Sequence, residues 1–172
     1  MLKQPRHVTT WHIISLHPLN EYMTRLLILF CCASLLIVNK TSAQDYRLGL
    51  GVRLSNSTPT LNNSITGKYF VTDRSAVEGL VSFGSRFGLG ALVEIHNPLN
   101  VEGLKWFYGA GIYLGFEDKN TYVGPTGALG LDYKFANVPI NLSIDWKPEL
   151  DIVPEINFVP DAFALSVRFT LK

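Results

Sequence analysis

The stretch Leu104-Lys105-Trp106-Phe107-Tyr108-Gly109-Ala110-Gly111-Ile112-Tyr113-Leu114-Gly115-Phe116-Glu117 sets Leu104, Trp106, Tyr108, Ala110, Ile112, Leu114 and Phe116 against Lys105, Gly109, Gly111, Gly115 and Glu117. Successive side chains of a β-strand point to opposite faces. The segment therefore reads as one long strand with a bulky apolar face and a small or charged one. No 3.6-residue period competes with that reading.

The same pattern recurs on both sides. Upstream, Tyr46, Leu48, Leu50, Val52 and Leu54 interleave with Arg47, Gly49, Gly51 and Arg53. In Ser64 to Thr72, Ile65, Tyr69 and Val71 alternate with Thr66, Lys68 and Phe70. Val77 to Phe83 carries Glu78 and Ser82 opposite its apolar residues, and Phe87 to Ile95 carries Gly88, Gly90, Glu94 and, just beyond, His96. Downstream come Leu129 to Phe135 with Gly130, Asp132 and Lys134 opposite, and Ile140 to Trp146 with Asn141, Ser143, Asp145 and Lys147 opposite. The last segment is Phe163 to Leu171, with Ala164, Ser166, Arg168 and Thr170 opposite. Turn-forming clusters at 56–63, 72–74, 84–86, 97–103, 118–121, 136–139 and 148–160 separate the segments. Eight strands and seven connections predict a single all-β domain, antiparallel and up-and-down, closed as a barrel.

The facing of that barrel sets its class. A soluble barrel turns its apolar face inward; a transmembrane one turns it outward. Here the minority face mixes Gly49, Gly51, Gly88, Gly90, Gly109, Gly111 and Gly115 with charges of both signs. Small residues and paired ions suit the crowded lumen of a narrow barrel, whereas glycines on a solvent face would only weaken the strands. The expected lumen charge network is Arg47, Arg53, Glu78, Glu94, Lys105, Asp132, Lys134, Asp145 and Arg168.

Aromatic residues sort by height. With the N-terminus periplasmic, Phe83, Phe87, Phe116, Tyr122, Trp146 and Phe163 fall near the outer rim. Tyr46, Trp106, Tyr133, Phe135 and Phe169 fall near the inner one. Two such girdles match the two interfaces of a bilayer. The expectation is an eight-stranded transmembrane β-barrel over residues 44–172.

An export signal precedes it. Thr24-Arg25 starts an apolar run of 13 residues from Leu26 to Val38, and Thr41-Ser42-Ala43 offers small residues for cleavage after Ala43. That run is too short for a membrane-spanning helix, which needs about 20 residues, and residues 23–43 read as a cleaved signal peptide. Residues 1–22 hold His7, His12 and His17 at spacings that fit no metal loop, and read as an artefact upstream of a start at Met23, or as disordered. Cys31 and Cys32 would leave with the signal, so the mature chain has no thiol. From Gln44 onward 11 Lys and Arg face 13 Asp and Glu, a net charge of −2 that gives nucleic acid no footing.

The cleavage region Thr41-Ser42-Ala43-Gln44-Asp45, the glycine-alternating strands and the closing Phe163-Ala164-Leu165-Ser166-Val167-Arg168-Phe169-Thr170-Leu171-Lys172 resemble small bacterial outer-membrane barrels of the OmpA, OmpX and OmpW type, including the outer-membrane barrel proteins of Bacteroidota. Such barrels usually close on an aromatic residue; Lys172 departs from that pattern, while Phe169 and Leu171 keep the alternation. The resemblance implies residence in the outer membrane beside lipid and lipopolysaccharide, insertion by the barrel-assembly machinery, and no particular activity.

Catalytic chemistry finds little support. His96 is expected as a solvated residue at the barrel rim, since nothing in the sequence brings Ser143 or Ser166 to its height. Asp132, Asp145 and Glu94, with Lys134, Lys147 and Arg168 as neighbours, read as salt-bridged packing and not as an acid-base pair, and Gly109-Ala110-Gly111 has no helix after it to make a phosphate loop. Glu117, Asp118, Asp151 and Glu155 read as solvated loop charges. The chain is expected to be no enzyme, to need no cofactor or metal, and to be a monomer. Three roles stay open: a structural, adhesive or lipid-contacting barrel without an open pore; a narrow channel or carrier for a small hydrophobic or ionic solute; and a soluble periplasmic lipocalin-like ligand binder.

Overall fold

A computed structural model of the chain describes residues 46–55, 60–160 and 163–171. The upstream stretch 1–22 and the signal segment 23–43 lie outside these residues.

The described chain is all-β: β1 (Leu48–Ser55), β2 (Ser64–Phe70), β3 (Ser75–Ser82), β4 (Phe87–Pro98), β5 (Leu104–Glu117), β6 (Asn120–Lys134), β7 (Ile140–Trp146), β8 (Glu149–Asp151), β9 (Asn157–Val159) and β10 (Phe163–Leu171). Each of the first six pairs antiparallel with the next, β7 pairs with β10, and β10 returns to β1 from Leu48↔Leu171 to Ser55↔Ala164. Eight strands thus close a ring with no free edge, which satisfies every strand on both sides. The near end of the barrel is where β1 starts and β10 finishes; the opposite, far end carries the hairpin of β8 and β9.

Two differences from the sequence reading lengthen the far end. The sixth strand starts at Asn120, not Leu129, and pairs with β5 from Glu117↔Asn120 onward. Tyr122 to Ala128 escapes the alternation rule because Gly124, Pro125 and Gly127 interrupt it. Val123 and Gly127 donate to the Val153 and Pro148 carbonyls, so Pro125 sits where its missing N–H faces only the sparse β8 side.

The second difference concerns 148–160, expected as a connection. Thr126↔Glu149 keeps the register of Leu129↔Trp146, so β7 and β8 are one strand broken at Lys147-Pro148. β9 pairs back on β8 through Leu150↔Phe158 and leads into β10. The last hairpin therefore rises beyond the barrel, with its tip at Ile152 to Ile156.

Side chains follow the pleat. Val52 is 49% exposed and its neighbour Arg53 is 0%. The outward face carries Leu50, Ile65, Val93, Ile112, Leu131, Ile144 and Val167 among many others. Every charged residue on the eight barrel strands has the inward parity. The interior also holds two apolar clusters, one of Leu61, Leu80, Leu92, Phe107, Tyr113 and Ala128, the other of Tyr46, Phe70 and Ala76. Near that second cluster, the turn after β4 ends on Gly103 at φ 80°, a conformation that suits glycine, and its carbonyl accepts the Lys134 N–H at 2.8 Å.

Candidate functional site

The lumen is a lattice of ions. Glu78 is its hub: Oε1 accepts from Thr66 Oγ1 at 2.7 Å and from Arg168, and Oε2 lies 3.0 Å from Lys147 Nζ. Arg168 also donates to Ser143 Oγ (2.6 Å), Asn141 Oδ1 (3.3 Å) and Thr66 Oγ1 (3.2 Å). Lys147 reaches Asp145 at 3.2 Å, and Asp145 accepts from Arg53 Nη2 at 2.8 Å. Lys68 pairs with Glu94 at 2.8 Å and lies 3.6 Å from Asp132, which accepts from Asn141 Nδ2 at 2.8 Å.

Four cations, Arg53, Lys68, Lys147 and Arg168, thus meet four anions, Glu78, Glu94, Asp132 and Asp145, all essentially out of water. A buried ion is tolerated only when paired and hydrogen-bonded, and strands from every side of the ring supply the partners. Phe107 adds an aromatic face 4.4 Å from Lys68 Nζ.

Sequence reading placed part of this set. Arg53, Glu78, Glu94, Asp132, Asp145 and Arg168 meet in it. Arg47, Lys105 and Lys134 do not: they have the inward parity but lie at the near end, where Arg47 is exposed and Lys134 Nζ donates to the Phe135 and Val138 carbonyls. Lys68 and Lys147 also belong to the set: parity put both on the lumen face and Lys147 was expected beside the lumen carboxylates, but neither was counted in the expected network.

His96 is not a solvated rim residue. It is fully buried, donates from Nε2 to Glu94 Oε2 at 3.1 Å, stacks on Phe107 at 4.9 Å and meets Phe70 at 4.8 Å. No serine hydrogen-bonds it among the described residues: Ser143 is used by Arg168, and Ser166 Oγ has no hydrogen-bond partner. No group of metal-ligating side chains is found among the described residues.

The far end is closed by the chain itself. Thr60 and Leu61, between β1 and β2, are fully buried, and their N–H groups donate to the Glu149 carboxylate at 3.3 and 2.6 Å. The Leu61 carbonyl accepts from Arg53. Room for this inserted segment comes from absent side chains: a Cβ on Gly88 would lie 2.5 Å from the Thr60 carbonyl, and one on Gly90 would lie 2.7 Å from Leu61 Cδ2. That gives two of the lumen-face glycines a specific purpose.

Above it, Arg86 donates to both Asp151 oxygens at 3.1 Å, to Thr60 Oγ1 at 3.2 Å and to Glu117 at 3.3 Å, and lies 3.3 Å from the Tyr122 ring. Tyr113 donates to Asp151 at 2.8 Å. Asp151 is therefore a buried structural acid and not a solvated loop charge. Burial raises the Glu149 carboxyl above its ordinary range, only partly countered by the two N–H bonds. Burial acts to lower Arg86, but its bonds to Asp151 prevail and hold it above the usual value.

The aromatic positions divide. Phe83, Phe87 and Phe116 form one run at the far end, with ring centroids 5.9 and 6.3 Å apart, and Trp146 meets Phe163 at 6.4 Å. At the near end Tyr133 meets Phe135 at 4.8 Å, Trp106 meets Tyr108 at 5.5 Å, and Phe169 faces outward. Tyr46 and Tyr122 belong to neither band. Tyr46 is buried edge-on against Phe70, and Tyr122 has the inward parity that puts it on Arg86.

No protein-family model matches this sequence, and comparison with curated proteins gives no match.

Proposed function

We propose that this chain spans a bacterial outer membrane as a closed eight-stranded barrel, exported through a cleaved signal. It acts through its ends and its lipid-facing wall, in a structural, adhesive or lipid-contacting role, and not as an open pore. The observation that carries this reading is the separation of the two faces: all strand charges point inward and the outer wall is apolar. In water such a wall would be a large exposed apolar surface; in lipid it is the expected one.

The height of the wall agrees. From Trp106 to Phe116 is ten residues along β5, which at about 3.4 Å each and roughly 40° of tilt gives about 26 Å, close to the apolar band of outer-membrane barrels. The near end would face the periplasm and the β8–β9 hairpin the exterior. Outer-membrane lipid and lipopolysaccharide are the surroundings this implies, with the barrel-assembly machinery inserting a monomer. A soluble lipocalin-like binder would need its apolar face inward, opposite to what is found. A carrier would need Ile152, Val153, Ile156, Phe158 and Val159 to line a mouth; the first four stand exposed on the hairpin.

The test is reconstitution of the mature chain in planar bilayers. A folded barrel, identified by heat-modifiable migration on a gel, should give no large steady conductance, because ion pairs and the Thr60-Leu61 insert fill the lumen. Stable non-selective conductance would refute the closed reading.

A further inference from the structure

At the near end a cavity of about 430 Å³ opens between the start of β1, the turns after β2 and β4, and the end of β6. Its volume falls in the lower part of the roughly 300–1,000 Å³ range of small-molecule sites. One side is apolar, with Phe70, Val71, Pro98, Leu99, Val101 and Leu104. Val71, Leu99 and Val101 are 62, 41 and 55% exposed on turns, at an end that the orientation proposed above makes aqueous. Bare apolar side chains lining a concavity mark a place where something apolar is received.

The polar side is cationic once the lumen is set apart. Asp132, at the floor, already belongs to the balanced four-and-four set, held by Asn141 and Lys68. That leaves Arg47, Lys105 and Lys134 against Asp73 and Glu102. Lys105 Nζ reaches the Asp73 carbonyl at 3.4 Å and lies 5.3 Å from the Phe70 ring. Lys134 is held by two backbone carbonyls, and no carboxylate pairs with it or with Arg47 among the described residues.

We propose that this cavity binds an amphiphile with one acyl chain and one anionic headgroup. The chain lies on Leu99, Val101, Leu104 and Phe70, and the headgroup meets Lys134, Lys105 and Arg47. The room suits one chain and not two. The inference deepens the lipid-contacting reading by naming a site and a ligand class for it, and it rests on that reading for the orientation of the end.

The experiment uses the mature chain folded in phosphatidylcholine nanodiscs, with empty nanodiscs as background and a dansyl-labelled undecanoate as probe. Saturable 1:1 binding is expected, displaced by dodecanoate and by dodecyl phosphate but not by dodecanol or inorganic phosphate. Displacement by only one of the two anions assigns the headgroup as carboxylate or phosphate. The Lys105→Ala/Lys134→Ala variant should bind about tenfold more weakly. Val101→Trp, at an exposed turn position, should abolish binding while heat-modifiable migration stays normal. Binding equal to empty nanodiscs, displacement by dodecanol as good as by dodecanoate, or unchanged binding in both variants would overturn the proposal. A folded, inserted protein that fails to bind sinks this site alone; a chain that does not enter the nanodisc sinks the membrane reading instead.

Discussion

Glu78→Gln removes one of the four lumen anions while keeping the shape of the side chain. Lys147 loses an ion pair at 3.0 Å and Arg168 a charge-assisted bond. Arg168 keeps Ser143, Asn141 and Thr66, and Lys147 keeps Asp145, so the variant should still fold. What remains is one uncompensated cation in a dry interior, and breaking a buried pair on one side costs about 3–5 kcal/mol. With a urea dependence of roughly 2 kcal/mol per molar, the unfolding midpoint in lipid vesicles should fall by about 1.5–2.5 M.

Adding Lys147→Met restores neutrality at three against three, so the double variant should lose clearly less than the sum of the single losses. A Glu78→Gln protein within about 0.5 kcal/mol of the parent, or strictly additive losses, would refute the balanced network.

Three other outcomes follow from the far end. Gly88→Ala puts a methyl against the Thr60 carbonyl and should cost about 1–3 kcal/mol; hydrogen exchange should show the Leu61 amide losing protection, and unchanged protection would mean that the insert does not depend on the missing side chain. The Glu149 carboxyl is raised above 4.5 by burial, so its cost to the fold is absent below that pH and grows as pH rises through the folded value. The parent should therefore lose stability relative to Glu149→Gln as pH rises from 4.5 through the raised folded value in urea titrations, and parallel pH profiles would contradict this. Arg86→Ala leaves Asp151 with only Tyr113 and Asn157 as side-chain donors, and should make the β8–β9 hairpin the first site of protease cleavage, without affecting the barrel's migration on a gel.

Much of the fold was legible because a barrel wall is a period-two object: Leu50 and Val52 against Gly51 and Arg53 state which side is which without any tertiary knowledge. What escaped was wherever proline or tertiary insertion overrides the local rule. Pro125 hid the upper half of β6, and Pro148 and Pro160 disguised the outer hairpin as a loop. The burial of Thr60 and Leu61 depends on Gly88 and Gly90 two strands away, and short-range periodicity does not link the two. His96 was misjudged because its position late in β4 suggested a rim, whereas Tyr46 and Phe70 cap the lumen beneath it. Among the charges, parity gives the side of the wall and not the depth, so it could not separate the buried Lys68 and Lys147 from Arg47, Lys105 and Lys134 at the near end.

The central claim is that the apolar face meets lipid and the charged face is sealed inside. It is tested most directly by single cysteines at adjacent positions of β10, Leu165→Cys, 49% exposed in the parent, and Ser166→Cys, 0%. In intact outer-membrane vesicles a lipid-soluble maleimide should modify residue 165, and neither that reagent nor a water-soluble one should reach residue 166. Reaction at 166 with the water-soluble reagent, or recovery of the protein in the soluble periplasm, would contradict the account.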